Sequence, residues 1–120
     1  MPIVTELRLD RATRVLHVAF DDASHFALPA EYLRVESPSA EVQGHGPDQR
    51  TIVPGRRDVG ITAIEPVGNY AARLVFDDRH DSGIYSWDYL HELGRERPVR
   101  WERYLNELAA RGLSRDPSAG

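Results

Sequence analysis

His80 stands among three carboxylates, Asp77, Asp78 and Asp81, and a second imidazole, His45, lies on a stretch rich in glycine and proline. Two histidines with one carboxylate form a recurrent iron site, and the same donors suit zinc or manganese. The metal-ligating candidates are therefore His80, His45 and Asp78. The plainer explanation is a solvated turn whose acidic side chains bond their own backbone. Nothing in the chain enforces ligand spacing as a Cys-x-x-Cys pair would. The plainer explanation takes precedence, so no cofactor is expected, and iron or zinc belongs to the rival reading.

Arg50, Arg56 and Arg57 cluster near Gly55 and Gly60. Guanidinium groups beside exposed glycine amides can bind carboxylate or phosphate. A charged, solvated loop explains the same residues. Arg56, Arg57 and Asp58, with His45, are the candidate binding residues. Trp87, Tyr89 and Trp101 have the look of a ligand platform, but their helical spacing with Leu90 and Leu105 assigns them to packing. No Gly-x-Ser-x-Gly elbow, phosphate-binding glycine loop or His-Glu-x-x-His pair occurs, and no enzyme is expected.

Composition narrows the classes further. The 120 residues make one domain, large enough to bury a core without a metal or disulfide. There is no cysteine, which excludes disulfides, thiolate nucleophiles and Cys-ligated metal. A net charge of −4 argues against nucleic acid as a partner, and the aromatic residues do not interleave with the basic ones. No stretch approaches the roughly 20 apolar residues of a membrane span. The amino terminus lacks a basic region followed by an apolar core, so the chain is expected to be cytoplasmic. Its oligomeric state is expected to be monomer or weak dimer.

The elements that must position these groups come as a repeated phrase. Phe20-Asp21-Asp22 leads into Glu31-Tyr32-Leu33, and Phe76-Asp77-Asp78 leads into Asp88-Tyr89-Leu90, with one extra residue in the second copy. Alternation predicts strands over Ile3 to Leu9, Val15 to Phe20 and His25 to Leu28, then a helical turn from Pro29. The second lobe repeats the pattern with strands from Val59 to Val67, Ala72 to Phe76 and Gly83 to Tyr85. Ser86 caps a helix from Trp87, and a separate helix starts after Gly94. Its apolar stripe is Trp101, Leu105 and Leu108 with Tyr104 beside them, and Gly112 ends it. Glu36 to Asp58 reads as a long exposed loop.

Several of these runs carry a family resemblance. Leu33 to Val42 with Gly44-His45-Gly46, Arg57-Asp58-Val59-Gly60-Ile61, and Phe76 through Leu90 resemble the amino-terminal domain of gamma-butyrobetaine hydroxylase and a group of small stand-alone bacterial proteins. The likeness spans about residues 3 to 95. In the hydroxylase this domain carries a structural zinc ahead of a separate iron- and 2-oxoglutarate-dependent oxygenase domain. A related domain is fused to ATPases with iron–sulfur clusters. The resemblance implies an accessory module whose chemistry resides elsewhere. The family's three cysteine ligands correspond here to Ser37, Ser39 and Val42, and its histidine ligand to His80. Zinc wants nitrogen or thiolate donors, so three of the four are missing.

The predicted fold is α+β, a mostly antiparallel sheet from two duplicated strand–turn–strand–helix lobes plus a carboxyl-terminal helix. Residues 1–112 form the domain and 113–120 a disordered tail. The expected core is Leu7, Leu16, Val18, Phe20, Leu28, Leu33, Ile64, Leu74, Phe76, Ile84, Trp87 and Leu90. The predicted function is a non-catalytic interaction module for a protein partner. It docks through the 36–58 segment and the 77–83 turn, with Arg56, Arg57 and Asp58 reading a charged surface. The rival is a metal-binding protein tied to iron or iron–sulfur metabolism.

Overall fold

The computed structural model describes residues 2–44 and 50–117. Strands β1 (Val4–Asp10), β2 (Val15–Phe20) and β3 (His25–Pro29) form one antiparallel sheet in that order. Helices α1 (Ala30–Val35) and α2 (Ala40–Gln43) follow. Strands β4 (Ile61–Val67), β5 (Ala71–Phe76) and β6 (Gly83–Ser86) form a second antiparallel sheet, and α3 (Trp87–Ala110) closes the chain. The class is α+β, as the sequence predicts, with two three-stranded sheets. No helix among the described residues is long and apolar enough to cross a membrane.

The repeat survives in detail. Each first hairpin has a register shift at its open end, between Val4 and Glu6 and between Ile61 and Ala63. Each acidic turn closes identically. Phe20 N–H donates to the Ser24 carbonyl, and Phe76 N–H to that of His80. Ala23 (φ 70°) and Arg79 (φ 73°) hold matching left-handed positions there, a conformation costly for residues with a Cβ.

The lobes clasp each other reciprocally. Tyr32 Oη donates to the Leu93 carbonyl at 2.7 Å, and Tyr89 Oη donates to the Glu36 carbonyl at 2.6 Å. Burial of these phenols in apolar surroundings pushes Tyr32 well above the ordinary tyrosine range and Tyr89 up to about 12. Both hydroxyls therefore remain donors at any physiological pH.

One core runs through both lobes: Leu16, Val18, Phe20, Leu28 and Leu33 from the first, Leu74, Phe76, Tyr85 and Leu90 from the second. Leu7, Ile64 and Trp87 pack against it partly buried. Ile84, predicted inside, is 47% exposed, and Tyr85 is buried instead, its hydroxyl donating to the Leu33 carbonyl. In a strand of four residues, alternation defines two faces but not which is inner.

Two further corrections concern the carboxyl-terminal half. There is one helix, not two, running through Gly94 and Pro98. Gly94 is a contact residue: a Cβ there would lie 2.3 Å from the Phe26 ring. The helix is thus laid on Phe26 at the one residue without a side chain, which outweighs the roughly 1 kcal/mol helix penalty of glycine. Tyr104 and Leu108 are buried with Trp101 packed partly buried against them, while Leu105 is exposed.

The described residues of the 36–58 segment are not an exposed loop. Val42, Ile52 and Val53 form a second buried cluster with Val35, Tyr104 and Leu108, and Tyr104 Oη donates to the Val53 carbonyl at 2.6 Å. Residues 113–117, where the sequence points to a frayed tail, run back along this segment. Gly55 N–H donates to the Ser114 carbonyl and Arg57 N–H to that of Arg115, whose side chain grips Glu31.

Candidate functional site

The duplicated lobes meet at two junctions, each pairing one lobe's acidic turn with the segment that follows the other lobe's tyrosine. At the first, Asp22 Oδ2 faces His91 Nε2 at 3.0 Å, and Phe26 covers Gly94, Phe20 and His91. At the second, Arg34 Nε donates to Asp78 Oδ2 at 2.8 Å. His91 and Arg34 stand two residues beyond Tyr89 and Tyr32, and Asp22 and Asp78 are equivalent turn residues, so the two contacts correspond. The second junction is where the lobes differ most. In place of an aromatic ring it holds hydroxyls, an imidazole and charges.

There Ser37 Oγ lies 2.8 Å from His80 Nε2, and His80 Nδ1 lies 3.1 Å from Glu41 Oε2. Ser39 N–H donates to Ser37 Oγ, and Ser39 Oγ pairs with Ser82 Oγ at 2.7 Å. Ser39 also caps α2 by accepting from Glu41 N–H, which brings the Glu41 carboxylate to His80. Burial, followed by the nearby Arg34 charge, lowers the His80 pKa below its ordinary value, against the raising effect of Glu41. A neutral His80 satisfies the network with Nδ1–H directed at Glu41 and Nε2 accepting from the Ser37 hydroxyl. Gly83 makes the approach possible, since a Cβ there would lie 2.6 Å from Ser37 Oγ.

Burial alone would raise Asp78. The Arg34 hydrogen bond, the His80 N–H bonded to Asp78 Oδ1 and the charges of Arg34 and Arg56 outweigh it, holding the carboxyl below the ordinary range. Arg56 Nε sits 2.7 Å from Asp78 Oδ2, though its N–H is not aligned for a hydrogen bond, and Arg34 Nη1 is buried without a partner among the described residues. Such a buried donor costs about 1–3 kcal/mol.

The order Ser37–His80–Glu41 has the connectivity of a nucleophile, its base and the base's orienting carboxylate. Ser37 is 0% and His80 4% exposed, so no carbonyl carbon can come within attack distance of Ser37 Oγ in this arrangement. The relay is a clamp. It joins the segment after α1 to the second acidic turn, and sequence reasoning missed it because its members are about 40 residues apart. The one available signal was the resemblance, which put Ser37, Ser39 and His80 at one place.

The zinc set implied by the resemblance does not fit. Its four positions offer one imidazole, two hydroxyls and the buried valine Val42. A serine hydroxyl has no accessible anion near neutral pH. Among the described residues no three His, Cys, Asp or Glu side chains are grouped to hold a metal ion. Of the metal candidates, His80 and Asp78 are at the junction with their ring and carboxyl atoms in protein bonds, and His45 lies outside the described residues.

The binding candidates separate. Arg56 joins Asp78, exposed Arg57 pairs with Asp116, and Asp58 is exposed. Arg50 does not cluster with them, because its partners are Glu36 and Glu107.

A family model described as gamma-butyrobetaine hydroxylase-like, N-terminal, matches residues 7–91. Two proteins solved by NMR superpose with TM-scores of 0.84. One is 46% identical over 100% of this chain and 94% of its own, the other 50% identical over 98% and 87%. The crystal structure of a protein of unknown function from Acidithiobacillus ferrooxidans, assigned to the DUF971 family, is 36% identical, with a TM-score of 0.64 over 76% of this chain and 91% of its own. No curated protein matches the chain.

Proposed function

This chain belongs to the gamma-butyrobetaine hydroxylase-like amino-terminal family, and we propose that it works as a non-catalytic docking module for a protein partner. One observation carries the reading: of two junctions equivalent by duplication, each holds an acid–base contact, but the Phe26 ring covers one and a mesh of serine hydroxyls, imidazole and arginines fills the other. The mesh anchors the segments that carry exposed Glu41 and Arg79, and the Asp116 and Arg115 contacts anchor exposed Arg57 beside Asp58. Rigid presentation lowers the entropy lost on association, and charges at a rim set partner choice and encounter rate.

Within that surface Arg57 and Asp58 are the contact residues. Arg56 acts through Asp78 as a positioning residue, and Ser37, His80 and Glu41 hold the turn that carries Arg79. The metal-binding alternative, iron or zinc at His80, His45 and Asp78, requires His80 to release Ser37 or Glu41 and Asp78 to release its arginines.

The test is paired affinity capture from native lysate with the wild-type chain and an Arg57→Ala/Asp58→Ala variant. The expected result is loss of at least one stoichiometric partner while the variant keeps its melting midpoint. Retention of every captured protein would place the docking face elsewhere.

A further inference from the structure

Glu36 and Gln43 meet the carboxyl-terminal half of α3 across a cleft of about 580 Å³, within the size range of small-molecule sites. Its wall carries four guanidinium groups, Arg50, Arg100, Arg103 and Arg111, against two carboxylates, Glu36 and Glu107. The concavity is therefore positive on a chain whose net charge is −4. A cleft whose lining carries an excess of one sign of charge favours ions of the other.

Glu36 organises the wall. It is 1% exposed, and its two oxygens take Arg50 at 3.4 Å, Arg100 at 3.2 Å and Arg103 at 3.4 Å. Each nitrogen of Arg100 has a carboxylate partner: Nη2 and Nε hold Glu92 and Glu96, which do not line the cleft, and the guanidinium lies 5.7 Å from the centre of the Tyr89 ring. Arg50 bridges Glu36 and Glu107. Arg103 is half exposed and directs Nη2 to Glu36 and Nε to Glu107, leaving Nη1 over. Arg111 is exposed and has no side-chain ion pair or hydrogen bond among the described residues. Spare guanidinium donors thus gather at the mouth, above a buried carboxylate that holds their neighbours in place.

We propose that this cleft binds a small, multiply charged oxyanion, with Arg103 and Arg111 making the charge-assisted hydrogen bonds and Arg50 adding its charge. Planar guanidinium forks match the paired oxygens of phosphate and carboxylate groups. The cleft's lining does not include Arg57 or Asp58, and the proposal does not depend on the docking reading.

The test is calorimetric titration of the full chain with pyrophosphate and, separately, citrate, at constant ionic strength in chloride. Saturable binding of about one anion per chain is expected, weakened about tenfold or more by Arg111→Glu, since one charged hydrogen bond is worth that much. The Arg111 side chain is exposed and bonds no other described residue, so the substitution is expected to leave the melting midpoint in place. Arg57→Ala leaves the titration unchanged, so failure of this site and failure of the docking face are separable. Binding of pyrophosphate alone assigns a phosphoryl ligand, and binding of citrate alone a polycarboxylate. Binding of both supports the shared chemistry. No saturable binding of either anion, or binding indifferent to Arg111→Glu, overturns the proposal.

Discussion

Tyr32 and Tyr89 exchange hydrogen bonds by symmetry: each hydroxyl reaches the carbonyl four residues beyond the other, Leu93 and Glu36 respectively. The chain behaves as a two-fold dimer written in one polypeptide, with an isologous interface between its halves. Removing either hydroxyl leaves a carbonyl of the interface short of its donor. Tyr32→Phe and Tyr89→Phe should each cost about 1–3 kcal/mol, read as a fall of several degrees in the melting midpoint. Tyr70→Phe, at an exposed ring, should leave the midpoint where it is.

Gly94 sets local propensity against tertiary packing. In an isolated helix Gly94→Ala would stabilise by up to about 1 kcal/mol. Here the new methyl group would strike the Phe26 ring, so the substitution should destabilise by about 1–3 kcal/mol. A Phe26→Leu background should shrink that loss in a double-mutant cycle. If Gly94→Ala raises the melting midpoint, the helix is not seated on Phe26.

His80 makes stability depend on pH below neutrality. Its folded pKa is lowered, chiefly by burial, from an unfolded value near 6.5. The unfolded chain therefore takes up the proton first, and stability is lost as pH falls from about 6.5 toward the folded value. Asp78, also lowered, contributes stability above about 3.8 that is lost on further acidification. Denaturant titrations from pH 7 to 5 should show a declining midpoint that His80→Gln flattens. An equal slope in wild type and variant would remove His80 as the source.

Much of the fold was legible because the repeat is written in residues that do structural work. Phe20 and Phe76 close the acidic turns, and Tyr32 and Tyr89 bridge the lobes. What escaped depends on contacts between distant positions. Gly94 looks like a helix stop unless Phe26 is known to lie beneath it. Glu36 to Asp58, with three prolines and three glycines, looks like loop, and only the packing of Val42, Ile52 and Val53 on Tyr104 and Leu108 shows otherwise. At the site, His80 stood out by its acidic neighbours. Its actual partners, Ser37 and Glu41, are ordinary residues given a role by the junction.

The central claim is that hydroxyl, imidazole and tyrosine bonds hold the two lobes together where the family resemblance implies a zinc clamp. Thermal unfolding of protein purified without an affinity tag, before and after removal of divalent ions by a chelator, tests it directly. The account predicts coincident transitions and a zinc or iron content below about a tenth of stoichiometry. A transition that falls on chelation and returns with added zinc or iron would contradict it.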